Sequence, residues 1–391
     1  MKKTILKYSS LLALLGSFFF STYIFAAECE TGTSPTAGCS IGVSDITYTL
    51  TGDIEPGSGV DGIQFNSENS ALNLTGNITT TGINGRGIYL SNSNNNITTL
   101  IGDISSDGTQ GHGIYSLDSN SNTYSLIGDI STSANSDLGI YLKRSDSNTM
   151  NMTGDITTAG DTAYGILVYD TSESNSITMT GNITTTGVGA VGIYSLESNS
   201  NTFSLIGDIS SDGTQGYGIY SLDSNSNTYS LIGDISTSAN SDLGIYLKRS
   251  DSNTMNMTGD ITTAGDTAYG ILVYDTSESN SITMTGNITT TGVGAVGIYS
   301  LESNSNTFSL IGDISSDGTQ GYGIYSLDSN SNTYSLIGDI TTTGDKARGI
   351  YLNRSDSNTM NMTGDITTAG DTAYGINSWN SNSNTYSLIG D

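Results

Sequence analysis

Aspartate recurs directly after glycine at Asp53, Asp103, Asp129, Asp155, Asp208, Asp234, Asp260, Asp313, Asp339, Asp365 and Asp391, with Asn77, Asn182 and Asn287 completing the series. A row of carboxylates at even spacing can collect hard cations, but a Ca2+ site wants about six to eight converging oxygens. The Gly-Gly-x-Gly-x-Asp nonapeptide of calcium-binding β-rolls is missing. The column is therefore expected to be a solvated turn face, with loose Ca2+ binding as the alternative and no resident cofactor. A second series, Tyr89, Tyr115, Tyr141, Tyr194, Tyr220, Tyr246, Tyr299, Tyr325 and Tyr351, is broken by Leu167 and Leu272. Such tyrosines either stiffen a sheet as a cross-strand ladder or line a groove for sugar or protein. For catalysis the chain offers little. Its single histidine, His112, has no evident partner and is replaced by Tyr217 and Tyr322 at equivalent positions. No Ser/His/Asp set, His/Cys metal cluster or phosphate loop is present, so no catalytic residues are expected in this region.

These residues recur because the whole chain does. The glycine of the Gly-Asp/Asn-Ile step returns from Gly52 to Gly390 in thirteen intervals, a mean period of 26 residues. A second glycine opens Gly-Ile-Tyr or Gly-Ile-Leu from Gly87 to Gly349. Periods of this length mean a solenoid or a propeller. Within a unit the period is two: Tyr124, Leu126 and Ile130 share one face, Ser125, Ile127 and Asp129 the other. That alternation, rich in Thr, Tyr and Ile, is the strand signature. Propeller blades need about 40 residues, and the leucine-rich pattern is absent. The expected fold is all-β: a single-stack parallel β-helix of about 13 coils, rising about 4.8 Å per coil into a rod of about 60 Å.

Equivalent residues then stack. The most regular column lies six residues before each step glycine: Asn96, Asn122, Asn148, Asn175, Asn201, Asn227, Asn253, Asn280, Asn306, Asn332, Asn358 and Asn384, with Ser70 in the earliest coil. Stacked amides donate and accept along the axis, so this column is read as a structural ladder and not as a ligand site.

Residues 1–27 read as a secretory signal: Lys2, Lys3 and Lys7, then an apolar run through Phe20, then Ala26 and Ala27. Residues 28–45 read as an N-terminal cap in which Cys29 and Cys39, the only cysteines, are expected to close a disulfide loop in an oxidising compartment. Residues 46–391 are the repeats, read as truncated at their C-terminal end. Losing the three signal lysines takes the net charge from −27 to −30. Such acidity excludes nucleic-acid binding and direct adhesion to anionic membranes, both of which need clustered Lys and Arg. Residues 101–205 and 206–310 are identical except for His112 against Tyr217. Whole blocks of four coils can thus be added without disturbing register, which suits a spacer or a variable surface protein.

The repeated Gly-Asp-Ile-Thr-Thr and Gly-Ile-Tyr units with Asn-Ser-Asn turns, behind a Gram-negative-type signal, resemble the passenger region of autotransporter proteins. The resemblance implies export to the cell surface, an outer-membrane β-barrel in the full-length protein, and adhesion to a host or cell-surface protein or glycan. The alternative from another class is a polysaccharide-processing enzyme whose site lies outside this region.

Overall fold

The structure, a computed structural model, describes residues 27–30 and 37–391. The signal expected over residues 1–27 lies almost wholly outside them. Every element in the described residues is a strand, and every strand pairing is parallel. Three strands make one turn of the chain, as in Leu138–Lys143, Thr149–Thr153 and Ile156–Ala159. Each lies on its equivalent in the next turn, giving a first sheet of 15 strands, a second of 14 and a third of 12. The protein is a three-sided parallel β-solenoid of about fourteen turns, one more than the thirteen intervals suggested.

The alternation decides what is inside. In the second sheet Tyr124, Leu126, Met150 and Met152 point inward, while Ile127 stands 55% exposed. The third sheet contributes Ile130, Ile156, Ile183, Ile209, Ile235 and Ile261, all at 0% exposure. One continuous core runs the length of the rod. The second glycine column exists because of that core. A Cβ on Gly218 would sit 2.4 Å from Ile235 Cγ2 and 2.6 Å from the Gly244 carbonyl oxygen. The isoleucine of the third sheet occupies the space where a side chain would go.

The rod also absorbs irregularity. One coil in each duplicated block has 27 residues, since Asn148 meets Asn175 and Asn253 meets Asn280. The extra residue falls in the turn between the first and second sheets, where Asp170 and Thr171 both take positive φ (59° and 61°). The strands on either side stay in register.

At the N-terminus Cys29 and Cys39 are joined by a disulfide, with Cα atoms 5.0 Å apart. It ties the first two strands of the first sheet, Ala27–Glu28 and Cys39–Ile41, to each other.

The core holds some polar mismatches. Thr158, Thr263 and Thr290 are buried in the third sheet with hydroxyls that have no hydrogen-bond partner. An unpaired buried hydroxyl costs about 1–3 kcal/mol. Thr263→Val keeps the β-branched shape and removes the polar atom, so it is expected to raise stability by about 1 kcal/mol. A denaturant midpoint that fell instead would mean the hydroxyl is satisfied.

Candidate functional site

The inner surface of the coil is polar at its corners, and these corners are ladders. From Asn96 to Asn358 each Asn of the regular column is buried. Asn227 Oδ1 accepts from the Asn201 backbone N–H at 2.8 Å, and its Nδ2 donates to the Ser198 carbonyl at 3.0 Å. Direct amide-to-amide bonds occur too, as from Asn148 to Asn175 at 3.1 Å, but the backbone is the main partner. A serine column runs beside it: the Ser93 backbone N–H donates to Ser119 Oγ at 3.0 Å, the Ser119 N–H to Ser145 Oγ at 3.1 Å, and most of their equivalents repeat the bond. It recurs as regularly as the asparagines do, so its signal was present in the sequence.

The aspartate column is a ladder as well, running the other way along the axis. Asp129 N–H donates to Asp103 Oδ1 at 2.9 Å, and Asp155 N–H to Asp129 Oδ1 at 2.8 Å. The asparagines Asn77, Asn182 and Asn287 serve identically, as in the 2.9 Å bond from Asp208 N–H to Asn182 Oδ1. One oxygen of each carboxylate is thereby committed to backbone, so the column is more than the solvated face expected of it. Among the described residues no group of His, Cys, Asp or Glu gathers closely enough to hold a metal ion.

The outer surface of the first sheet is different in kind. The tyrosines expected on an outer face lie there, covering one another so that Tyr194, Tyr246 and Tyr299 are buried and the rest partly so, and their rings stack. Tyr194 and Tyr220 are 4.6 Å apart between centroids at 11°, and Tyr220 and Tyr246 are 4.7 Å apart at 3°. Tyr299, Tyr325 and Tyr351 repeat the arrangement. Tyr217 packs edge-on against Tyr220 and Tyr246 from the neighbouring column. Leu167 and Leu272 interrupt the stack but continue the apolar surface, packing with Leu138, Val191 and Tyr194, and with Leu243, Val296 and Tyr299. Burial pushes the phenols of Tyr194, Tyr220 and Tyr246 up, with the neighbouring tyrosines adding to the shift. They stay protonated at neutral pH.

His112 belongs to this face and is not isolated. Its Nδ1 accepts from the Leu138 N–H at 3.2 Å, and its ring packs edge-on against Tyr115 and Tyr141. Burial, with Arg86 nearby, holds it neutral, its pKa lowered to about 3. It is a packing residue of the aromatic face.

All the basic residues beyond the signal border this sheet: Arg86, Lys143, Arg144, Lys248, Arg249, Lys346, Arg348 and Arg354 lie on its strands or in the turns at their ends. The Arg86 guanidinium lies 3.5 Å from the Tyr89 ring centre and Arg348 4.3 Å from that of Tyr351. Arg144 bridges Asp118 at 2.7 Å and Asp170 at 2.9 Å, one turn to either side. Arg249 does the same for Asp223 and Asp275, and Arg354 holds Asp328. Exposed pairs of this kind contribute little singly. Their effect is to fix the charged edge of the face.

At the turn leading into the sheet, Asp137 and Asp242 are buried in a column otherwise occupied by Gly and Ala. Asp242 accepts from Gly216 N–H at 2.9 Å and Ala239 N–H at 2.7 Å; Asp137 accepts from Gly111 and Ala134. Burial outweighs these bonds and raises both carboxyls to about 6. With the folded pKa above the ordinary 3.8, the folded state binds the proton more tightly, so stability falls as pH rises from about 4 through 6. Asp118, Asp223 and Asp328 oppose this at lower pH, because hydrogen bonds from arginine depress them. Their contribution is lost only below about pH 4. The melting temperature is therefore expected to rise from pH 7.5 to about 5 and to fall again below 4. The double variant Asp137→Asn/Asp242→Asn should flatten the upper limb; an unchanged profile would assign that limb to other groups.

No family model matches this chain. No curated protein matches it either. Among solved structures, a chain of the cryo-EM structure of the Vag8–C1 inhibitor complex is similar at 14% identity, over 93% of this chain and 100% of that chain, with a TM-score of 0.39. A likeness that loose carries no argument about fold or function.

Proposed function

We propose that this chain is an exported, surface-displayed β-solenoid of the autotransporter-passenger kind, acting as an adhesive or structural stalk. In this reading it carries no catalysis, and the outer face of its first sheet is the contact surface. The observation that supports it is that face itself: a tyrosine and leucine surface running along an acidic rod, bordered by all of its basic residues. Tyr89, Tyr115, Tyr141, Tyr220, Tyr325 and Tyr351 stay partly exposed along it, and aromatic side chains are enriched where proteins meet. The second sheet also turns Ile101, Ile127, Ile206, Ile232, Ile311 and Ile337 outward, 49–58% exposed, but it carries no outward aromatic ring and no basic residue; the third turns mainly Thr and Ser outward.

The test is display and attachment. Cells producing the protein should lose it to externally added protease and should attach to a surface or to other cells. The triple variant Tyr194→Ser/Tyr220→Ser/Tyr246→Ser should still be displayed but attach at least about tenfold less. Protein protected inside the cell, or attachment indifferent to the tyrosines, would overturn the proposal. Release of reducing ends from polysaccharide by the chain would point to an enzyme instead.

A further inference from the structure

The tyrosine face is poorly made for sugars. Its rings stack on one another, as Tyr194, Tyr220 and Tyr246 do, so the ring faces on which a pyranose would lie are used within the column. What points outward is ring edges, hydroxyls and leucine, repeating every turn. A partner that matches this repeat over many turns must have the same axial spacing of about 4.8 Å, which another β-solenoid has.

Charge narrows the choice. The rod carries about thirty net negative charges once the signal lysines are discounted, so two copies repel through any acidic face. Only the first sheet offers cations. On its charged edge, Lys143 and Lys248 lie over Tyr169 and Tyr274 and make no ion pair among the described residues. Glu197 and Glu302 stand on the same edge, in the turns that follow Val191–Leu196 and Val296–Leu301. Glu197 is two turns before Lys248. Glu302 is two turns after it. About 10 Å separates the backbones of lysine and glutamate within one chain, and among the described residues the lysines lie over tyrosine rings and not against these glutamates.

We propose that two copies of this chain pair antiparallel, first sheet against first sheet, about a two-fold axis at the level of Tyr220. That axis sets Lys248 of each copy opposite Glu197 of the other, and Lys143 opposite Glu302. The register that gives these pairs also sets Leu167 opposite Leu272 and tyrosine opposite tyrosine elsewhere along the column. The aspartates that then face one another, Asp118 with Asp328 and Asp170 with Asp275, are already held by arginines of their own chain. Such self-complementarity is what a two-fold interface requires: residue i meets j, and j meets i. The footprint suffices. First-sheet strands of three to six residues, about 10–20 Å long and stacked over about 60 Å, cover about 1,000 Å² on each copy, against the roughly 800 Å² per partner of a stable interface. This pairing rests on the proposed role of the face as a contact surface, and it names the partner.

Sedimentation velocity on the purified chain, with circular dichroism as the check on folding, decides it. The wild type is expected to sediment as an elongated dimer at micromolar concentration. Lys143→Glu/Lys248→Glu should be folded and dissociate at least tenfold more readily, and so should Glu197→Lys/Glu302→Lys. Mixing the two variants should restore a dimer containing one of each. A monomeric wild type, a dimer unmoved by both variants, or no rescue on mixing would overturn the pairing. Should the chain be monomeric while cell attachment still depends on Tyr220, the contact face stands and only its partner is wrong. A rescued dimer with no attachment to cells would leave the pairing intact and remove the adhesive role.

Discussion

Gly233→Ala is expected to destabilise the solenoid by more than about 3 kcal/mol, although it adds one methyl group. Gly233 has φ of +151°, and a Cβ there would lie 2.0 Å from the Gly207 carbonyl oxygen and 2.5 Å from its carbonyl carbon. Both obstacles are backbone of the adjacent turn, which cannot rotate away as a side chain would. Relief requires opening the spacing between two turns whose strands are hydrogen-bonded along their length. Backbone strain of this kind costs about 1–3 kcal/mol, and forced overpacking adds about 1–3 kcal/mol. In a nearest-neighbour stack a defect in mid-rod separates the turns on either side of it. The guanidinium midpoint of Gly233→Ala should therefore fall sharply, and protease should cut near residue 233. Ser236→Ala, on the outer side of the next strand, serves as the control, with an expected change within about 0.5 kcal/mol. If the two variants unfold alike, the turns are not packed backbone to backbone at this corner.

Asn227→Ala should cost about 4 kcal/mol, the larger part of it through groups that are not on Asn227. Removing the amide leaves the buried Asn201 N–H without its acceptor and the Ser198 carbonyl without its donor. It also leaves a void in a corner where Asn227 itself has 0% exposure. Each orphaned buried group costs about 1–3 kcal/mol. Asn256→Ala removes a like side chain from the outer face one turn on, where Asn256 is exposed, and should change stability by about 0.5 kcal/mol or less. Asn227→Asp keeps the acceptor and loses the donor while burying a charge, so it should fall nearer to Ala than to the wild type. Equal midpoints for Asn227→Ala and Asn256→Ala would remove the ladder from the account of stability.

The architecture was legible because a repeat makes local and long-range order the same thing. A period of 26 with alternation of two places every strand beneath its equivalent, so Ile130 and Ile156 had to share a column and the core followed. Proline confined to residues 35 and 56, the serine column and the asparagine column all reflect that one constraint. Recurrence shows that a position matters, but it does not show which atoms meet there. The aspartates recur as strictly as the asparagines, yet only the fold shows that their carboxylates take the backbone of the next turn. His112 looked alone because, beside nearby Tyr115, its partners Leu138 and Tyr141 lie 26 and 29 residues away and meet it only through the stacking of turns. The gathering of every described basic residue on the edges of one sheet was likewise hidden, since the chain passes through three faces in each turn and neighbours in sequence are mostly on different ones. A linear pattern specifies what is stacked on what. Which side each column faces, and what stands beside it around the turn, depends on where the corners bend.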